Sequence, residues 1–152
     1  MESLKTHKIV INNGYYNVKS KNLLFKSCVE ELDDKIESTF GDTLIYQGKT
    51  YAVGIGQPSL TMNKDDNLVN KILILYAIAQ QVKEPRANID LVLSAPPFTY
   101  KNQKNTLPLY LIGKHEVVLN GMEYRTFYIN DVMVLPETFV VFANNNDGGR
   151  YD

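Results

Sequence analysis

Residues 8–19 read KIVINNGYYNVK, and the rest of the chain is organised around this stretch. The pattern predicts an apolar strand at 9–11, a polar turn at 12–14 and a second strand ending in Lys19. Gly14 tolerates a positive φ, so the chain can reverse tightly there. One interpretation is a hairpin with an Asn-Gly turn, which the residues alone favour. The other is a nest of backbone N–H groups that, together with Lys19, binds a phosphate.

Size and composition indicate an ordinary soluble domain. The chain has 152 residues, 44% of them apolar and 22% charged, and this is enough for one domain or two small lobes. A formal net charge of −1 gives no electrostatic reason to expect direct nucleic-acid or membrane binding. A single cysteine, Cys28, excludes an internal disulfide and a Cys-rich zinc site and suits a reducing, cytoplasmic location. The N-terminus lacks the apolar run of a signal peptide.

The first half of the chain predicts strands joined by short turns. A third strand is expected at 22–29, and the charged segment 30–38 fits either a short helix or an extended loop. Residues 43–46 and 50–54 predict a hairpin around Gly48, because aromatic and β-branched runs flank the turn. Gly54-x-Gly56 lacks the third glycine and the helix of a dinucleotide fingerprint, so that reading is rejected.

A buried helix and a central strand follow. The helix is expected to begin at the candidate N-caps 65–67, to be buried on more than one side, and to stop at Pro85. Residues 89–93 are almost continuously apolar, as in a central parallel strand covered on both faces. The following loop, 94–97, then lies where open α/β sheets bind ligands. Residues 100–113 predict a short helix or loop.

The last third predicts another hairpin and a further strand. Residues 114–119 and 122–129 flank Asn120-Gly121, a type I′ turn signal. A separate strand is expected at 132–135, and 138–143 fits a helix or a strand. The polar, Gly-rich residues 144–152 form a tail, which leaves 1–143 as one lobe. The order of elements predicts an α/β mixed sheet with helical cover and additional β-hairpins.

Three ordered motifs carry a resemblance to a known family. They are NNGYYNVK at 12–19, LVLSAPP at 91–97 followed by Tyr100, and DVMVLPE at 131–137, with GKTYAVG at 48–54 as a softer match. The first resembles the phosphate loop Asp-x-Gly-x-x-x-x-Lys of actin-like ATPases. The chain is most similar to the plasmid-segregation actins of the ParM and StbA-like type. The resemblance implies a ribonuclease H-like fold, the N-terminal lobe of the clamp that binds ATP or GTP with Mg²⁺.

The resemblance also implies roles for particular residues. Nucleotide phosphates would be bound at the first loop, with Lys19 neutralising their charge, and Glu137 would orient the attacking water. Position 12 would help to hold the metal through its water shell. Asn12 stands there where the family has Asp, and this predicts weaker metal binding and slower hydrolysis, because Mg²⁺ sites rely on carboxylates. The residues implied to bind nucleotide are Asn12, Asn13, Gly14, Tyr15, Tyr16 and Lys19.

Family members clamp ATP between two lobes, and this chain ends about where the second phosphate loop is expected. We therefore expect tight binding and turnover only when a second lobe is supplied, because phosphoryl transfer needs charges on all sides of the γ-phosphate. The implied partners are filament subunits, a second lobe and a DNA-bound adaptor protein. Two alternatives remain: a non-catalytic module that binds filaments or partners, and an unrelated small α+β domain.

Overall fold

The computed structural model describes residues 4–14, 16–32, 41–54, 67–122 and 124–136. Within them, nine strands and two helices are formed. The strands are β1 (Thr6–Asn13), β2 (Asn17–Ser20), β3 (Leu23–Lys26), β4 (Val29–Leu32), β5 (Asp42–Tyr46), β6 (Lys49–Val53), β7 (Arg86–Ala95), β8 (Gly113–Leu119) and β9 (Tyr124–Pro136). The helices are α1 (Asn67–Gln81) and α2 (Pro97–Leu111).

All nine strands belong to one mixed sheet in the order β3-β2-β1-β7-β9-β8-β5-β6-β4. Its centre is parallel, because β7 runs parallel to both β1 and β9. The remaining pairs on either side are antiparallel. The prediction of a central parallel strand around residues 89–93 is therefore confirmed, and the α/β mixed sheet with additional hairpins is what the structure shows.

Both helices contact the same face of the sheet. Asn70 of α1 hydrogen-bonds Asn13 of β1, and the Leu111 carbonyl of α2 hydrogen-bonds His115 of β8. Strand residues on this helix-covered face, such as Ile11 and Leu93, are fully buried. Ten of the fifteen residues of α1 are buried as well, as the apolar character of most of its sides predicts. The core lies between the helices and this face.

Two of the predicted turns are confirmed. Gln47 and Gly48 have φ of 50° and 77°, and Asn120 and Gly121 have φ of 54° and 66°. Positive φ at both central residues defines the type I′ turn, whose twist matches that of the strands it joins. The amide of Met122 donates to the Leu119 carbonyl at 3.1 Å and closes the second turn.

The first hairpin differs from the predicted one. Asn12 and Asn13 do not form its turn but continue β1, opposite Lys19 and Val18 of β2. The strand extends this far because β7 supports it from the other side, where Asn12 pairs with Ser94. The reversal falls instead after Asn13, between the two strands.

Strand β9 is one continuous element, where the sequence predicted two. Ile89 pairs with Ile129 and Asp90 with Asp131, so Asn130 is an extra residue in the ladder. Such a β-bulge lets a strand continue past an extra residue. The Asn130 amide donates to the Asn88 side chain at 3.1 Å.

Other boundaries also differ from the predictions. The expected strand 22–29 is divided into β3 and β4, and β4 takes in part of the charged segment because it pairs with β6. The segment predicted as a short helix or loop is the fifteen-residue α2, which begins at Pro97 and contains Pro108. Proline is tolerated in the first turn of a helix, where its missing N–H has no intrahelical partner. The predicted segments 138–143 and 144–152 lie outside the described residues.

Candidate functional site

Three polar side chains lie next to one another at the carboxyl ends of β1 and β7. Lys19 of β2 is directly opposite Asn12 of β1, and Asn12 is paired with Ser94 of β7. Paired residues on neighbouring strands point to the same face of a sheet, with Cβ atoms about 5 Å apart. We call these three residues the polar row. It lies on the face opposite the helices, because the helix-covered residues Ile11 and Asn13 alternate with Asn12.

The polar row contains one hydrogen bond of its own. Ser94 Oγ donates to Asn12 Oδ1 at 2.6 Å. Ser94 is buried, Asn12 is half-buried and Lys19 is exposed. Along the row, the side chains therefore change from a buried hydroxyl, through a half-buried amide, to a solvent-accessible cation.

The turn that follows β1 is held by Ser27. Its Oγ donates to the Gly14 carbonyl at 2.9 Å, and its backbone N–H donates to the Tyr16 carbonyl at 2.9 Å. These bonds attach both sides of the turn to the segment after β3. A ligand that bound there would meet a backbone that is already held at Gly14 and Tyr16.

A second anchor joins the end of β1 to α1. Asn13 Nδ2 donates to Asn70 Oδ1 at 2.8 Å, and both side chains have no exposed surface. Because a buried amide is costly without partners, this pair fixes where the strand ends relative to the helix. Asn13 therefore holds the end of β1 in place from the helix-covered face.

The predicted nucleotide-binding residues fall into three groups. Asn12 and Lys19 share the polar row, and Gly14 is buried directly after β1. The Asn13 side chain points to the opposite face, so its predicted contact with a ligand would have to come from its backbone. Tyr16 is 66% exposed beside the turn. Tyr15 and Glu137 lie outside the described residues, and their predicted roles stay predictions.

The side-chain groups of the polar row are not the ligands that a magnesium ion prefers. Mg²⁺ prefers an octahedral oxygen shell that includes carboxylates. The row offers an amide, a hydroxyl and an ammonium group, and no group of three His, Cys, Asp or Glu in the described part of the chain could hold a metal. Asp90 lies on the same face of β7, but it is four residues before Ser94, or about 13 Å along the strand.

A shallow groove elsewhere gives a weaker argument for a site. It has a volume of about 370 Å³ and is formed by β5, β8 and β9 at the far side of the sheet. Two charged residues line it, Lys114 and Glu116, and they pair with each other at 3.2 Å. We place the candidate site at the polar row, because there the polar groups converge on a strand end and a fixed turn.

Asn70 and Ser27 of this region were not predicted as functional, and Ser94 was predicted only as part of the loop 94–97, where ligands bind in open α/β sheets. Ser94 carried a signal, since it ends the apolar run of a central parallel strand. Asn70 also carried one, because it lies at helical spacing with the buried Leu73 and Ile74 and is polar. Ser27 carried none, because nothing in the sequence indicates that its hydroxyl reaches the Gly14 carbonyl.

No helix among the described residues is long and apolar enough to cross a membrane.

Comparison with known proteins identifies the family and the fold of the chain. The family of the N-terminal domain of actin-like proteins matches residues 7–139. No curated protein matches the chain. Among solved structures, the Alp12 filament is similar with a TM-score of 0.69, 22% identity and 89% of this chain covered. The AlfA filament bound to AMPPNP has a TM-score of 0.69, 19% identity and 90% coverage. The apo psk41 ParM protein has a TM-score of 0.69, 14% identity and 90% coverage.

The matches extend over 48%, 56% and 51% of those three proteins, so this chain spans about half their length. At these identities the structural likeness shows the fold, which is that of the ParM-type filament proteins. The family match covers most of the sequence and agrees with the resemblance drawn from the three motifs. The chain therefore belongs to the actin-like proteins and carries their N-terminal domain.

Proposed function

We propose that this chain is the nucleotide-binding N-terminal lobe of a filament-forming, plasmid-segregation type actin-like ATPase. The observation that carries the proposal is the polar row beside a turn anchored by Ser27. Lys19 brings a positive charge, and the turn brings backbone N–H groups, which together suit a phosphate. The AlfA filament, which shares the fold, is bound to the ATP analogue AMPPNP.

Each part of the site has a distinct task in this proposal. Lys19 neutralises phosphate charge, the backbone at Gly14, Tyr15 and Tyr16 donates to phosphate oxygens, and Glu137 orients the water that attacks the γ-phosphate. Catalysis of phosphoryl transfer consists mainly of positioning and charge stabilisation around the γ-phosphate. A second lobe would supply the charges that this lobe does not, so turnover of ATP or GTP with Mg²⁺ needs both lobes.

Nucleotide binding is tested by titrating the isotope-labelled chain with AMPPNP and following its backbone amide signals by NMR. We expect the largest shifts at Gly14, Tyr16, Lys19 and Ser94. Lys19→Ala should weaken binding about ten-fold or more, because a charge-assisted contact to phosphate is lost. Lys83→Ala is the matched control, since Lys83 is exposed next to the opposite end of β7. Shifts spread evenly over the surface, or equal affinities of the two variants, would contradict the proposal.

Filament formation is the second part of the proposal. The partners would be further copies of the protein, with a DNA-bound adaptor linking the filament to its cargo. Sedimentation with AMPPNP, with and without a full-length actin-like protein of the same fold, measures this association. We expect the chain to enter the pellet with filaments; a chain that stays in the supernatant in every mixture would refute this part.

One observation favours a non-catalytic variant of this function. Asn12 replaces the carboxylate expected at the phosphate loop, and its side-chain oxygen already accepts a hydrogen bond from Ser94. In this alternative the lobe binds filaments or partner proteins and does not hydrolyse nucleotide. Phosphate release measured with a second lobe present separates the two: hydrolysis supports the ATPase, and co-sedimentation without hydrolysis supports the module.

A further inference from the structure

We propose that the polar row binds the phosphate oxyanion directly, without a divalent cation, through the amide N–H groups of Asn12 and the ammonium group of Lys19. This inference rests on the proposed nucleotide function and specifies how the ligand is held. It differs from a site in which residue 12 acts on a hydrated metal ion.

The oxygen of the Asn12 amide faces Ser94. Ser94 Oγ lies 2.6 Å from Asn12 Oδ1, a distance within the range of O–H···O hydrogen bonds. Ser94 Oγ therefore donates to the oxygen of the Asn12 amide. The Nδ2 group must then point away from Ser94, toward the Lys19 side or the solvent.

The Nδ2 group is available to a ligand. Within the part of the chain that the structure describes, Ser94 is the hydrogen-bond partner of the Asn12 side chain, and Nδ2 keeps two N–H donors. Asn12 is half-buried, so part of this residue is open to solvent. On its other side Asn12 faces Lys19, whose three N–H donors carry a positive charge.

The charge balance of the polar row also favours an anion over a metal. An amide and a hydroxyl are neutral, so Lys19 gives the row a charge of +1. A carboxylate at position 12 would repel a phosphate oxygen at close range and would need a cation between them. The amide removes that repulsion and adds donors of the kind that hold oxyanions in proteins. A hydrated Mg²⁺ ion next to Lys19 would instead meet a like charge.

The surrounding anchors favour direct contact, because they hold the end of β1, Gly14 and Tyr16 without help from a metal. The Asn13–Asn70 pair fixes the end of β1, and Ser27 fixes the Gly14 and Tyr16 carbonyls. Binding to groups that are already ordered is stronger, because less conformational entropy is lost when the ligand binds. The polar row thus has a positive charge and free donors beside a strand end that is already held in place.

The test is the affinity of the 152-residue chain for AMPPNP, measured by NMR titration in EDTA and again in excess Mg²⁺. We expect dissociation constants that agree within about three-fold in the two buffers. Binding that appears only with Mg²⁺ would overturn this inference and leave the proposed function standing. Absence of binding in both buffers would overturn the inference and the proposed function together.

Asn12→Asp sharpens the test, because it keeps the oxygen that accepts from Ser94 and changes the charge. In EDTA this variant should bind about ten-fold or more weakly than the original chain, and Mg²⁺ should restore much of the loss. Asn102→Asp is the matched control, since Asn102 is an exposed residue of α2 and carries the same change of charge. If Asn12→Asp binds in EDTA as well as the original chain does, direct donation by the amide is refuted.

Discussion

The two halves of the sheet both bury polar side chains, but they use them differently. In the far half, β8-β5-β6-β4, Tyr46 Oη donates to His115 Nδ1 at 3.0 Å, and His115 Nε2 donates to the Leu111 carbonyl at 2.6 Å. Both ring nitrogens of His115 are thereby occupied. In the near half, β3-β2-β1-β7, the buried side chains of Asn13 and Asn70 are hydrogen-bonded to each other. The neighbouring polar row, in contrast, keeps unused donors.

This difference separates structural polar groups from candidate binding groups. A buried donor or acceptor that is satisfied within the protein contributes to packing and to the specificity of the fold. A cluster that keeps free donors at a strand end has capacity for a ligand. Variants of the near half should therefore change both stability and nucleotide binding, whereas variants of the far half should change stability alone.

The largest expected effect is that of Asn13→Ala. Removing this amide takes a buried donor from Asn70 Oδ1, and we expect a loss of about 2 kcal/mol in the free energy of unfolding. Nucleotide binding should weaken as well, since the end of β1 loses its link to α1. Urea unfolding and AMPPNP titration measure the two effects. Asn17→Ala, at an exposed position of β2, is the control. A stable variant that binds normally would erase the distinction between the halves.

Arg125→Met tests the strand that joins the halves. Arg125 is half-buried on β9, and its Nη1 donates to the Ala79 carbonyl and, at 2.8 Å, to the Val82 carbonyl. These carbonyls lie at the C-terminal end of α1, where a cation is favourable. We expect a loss of about 1–2 kcal/mol in unfolding free energy. Arg86→Met, which removes an exposed bond to Tyr128 at 2.9 Å, should cost clearly less.

The far half should respond to pH through His115. Burial, with a smaller contribution from Lys71, lowers the pKa of this imidazole below its usual 6.5. The unfolded chain then takes up the proton at a higher pH than the folded chain. The stability is fully present above about pH 6.5 and falls as the pH is lowered toward the folded pKa.

Thermal unfolding between pH 7.5 and pH 5 measures this dependence, and His115→Gln should flatten it. The range stays above the titration of Glu84, whose pKa is lowered by its hydrogen bond to His7. AMPPNP binding should be unchanged in the variant. A dependence as steep as in the original chain would show that another group is responsible.

The smallest effect is expected at the far edge of the sheet. Lys49 and Glu31 pair at 3.6 Å between β6 and β4, with side chains that are 60% and 54% exposed. Exposed pairs are screened by solvent, so Lys49→Ala should change the unfolding free energy by no more than about 0.5 kcal/mol. A double-mutant cycle with Glu31→Ala isolates the coupling. A coupling above 1 kcal/mol would show that this edge is better ordered than its exposure indicates.

Local patterns were sufficient to predict much of the fold. The turns at Gly48 and at Asn120-Gly121 were correct because their conformation is set by a few neighbouring residues. The buried helix and the central strand were correct because their apolar patterns are long and unambiguous. The order of three motifs was enough to indicate the family.

Features that depend on pairing between distant strands could not be predicted in this way. The length of β1 is set by its ladder with β7, and the charged segment becomes β4 because β6 is beside it. Helix α2 was underestimated because prolines usually mark helix ends, yet Pro97 begins this helix and Pro108 lies within it. In the site, Asn12 and Lys19 were predicted from the motif, whereas the contribution of Ser27 depends on tertiary contacts alone.

The extra residue in β9 has a consequence for the lengths that this strand can tolerate. Phe127 and Ile129 face the helices before it, and Val132 and Val134 face them after it, so the inward positions change from odd to even numbers. Deleting Asn130 would restore plain alternation and keep all four residues inward. Deleting Met133 would force Val132 or Val134 outward, since a shift by one residue exchanges the faces. Homologous chains that are one residue shorter here should therefore lack the residue at the bulge.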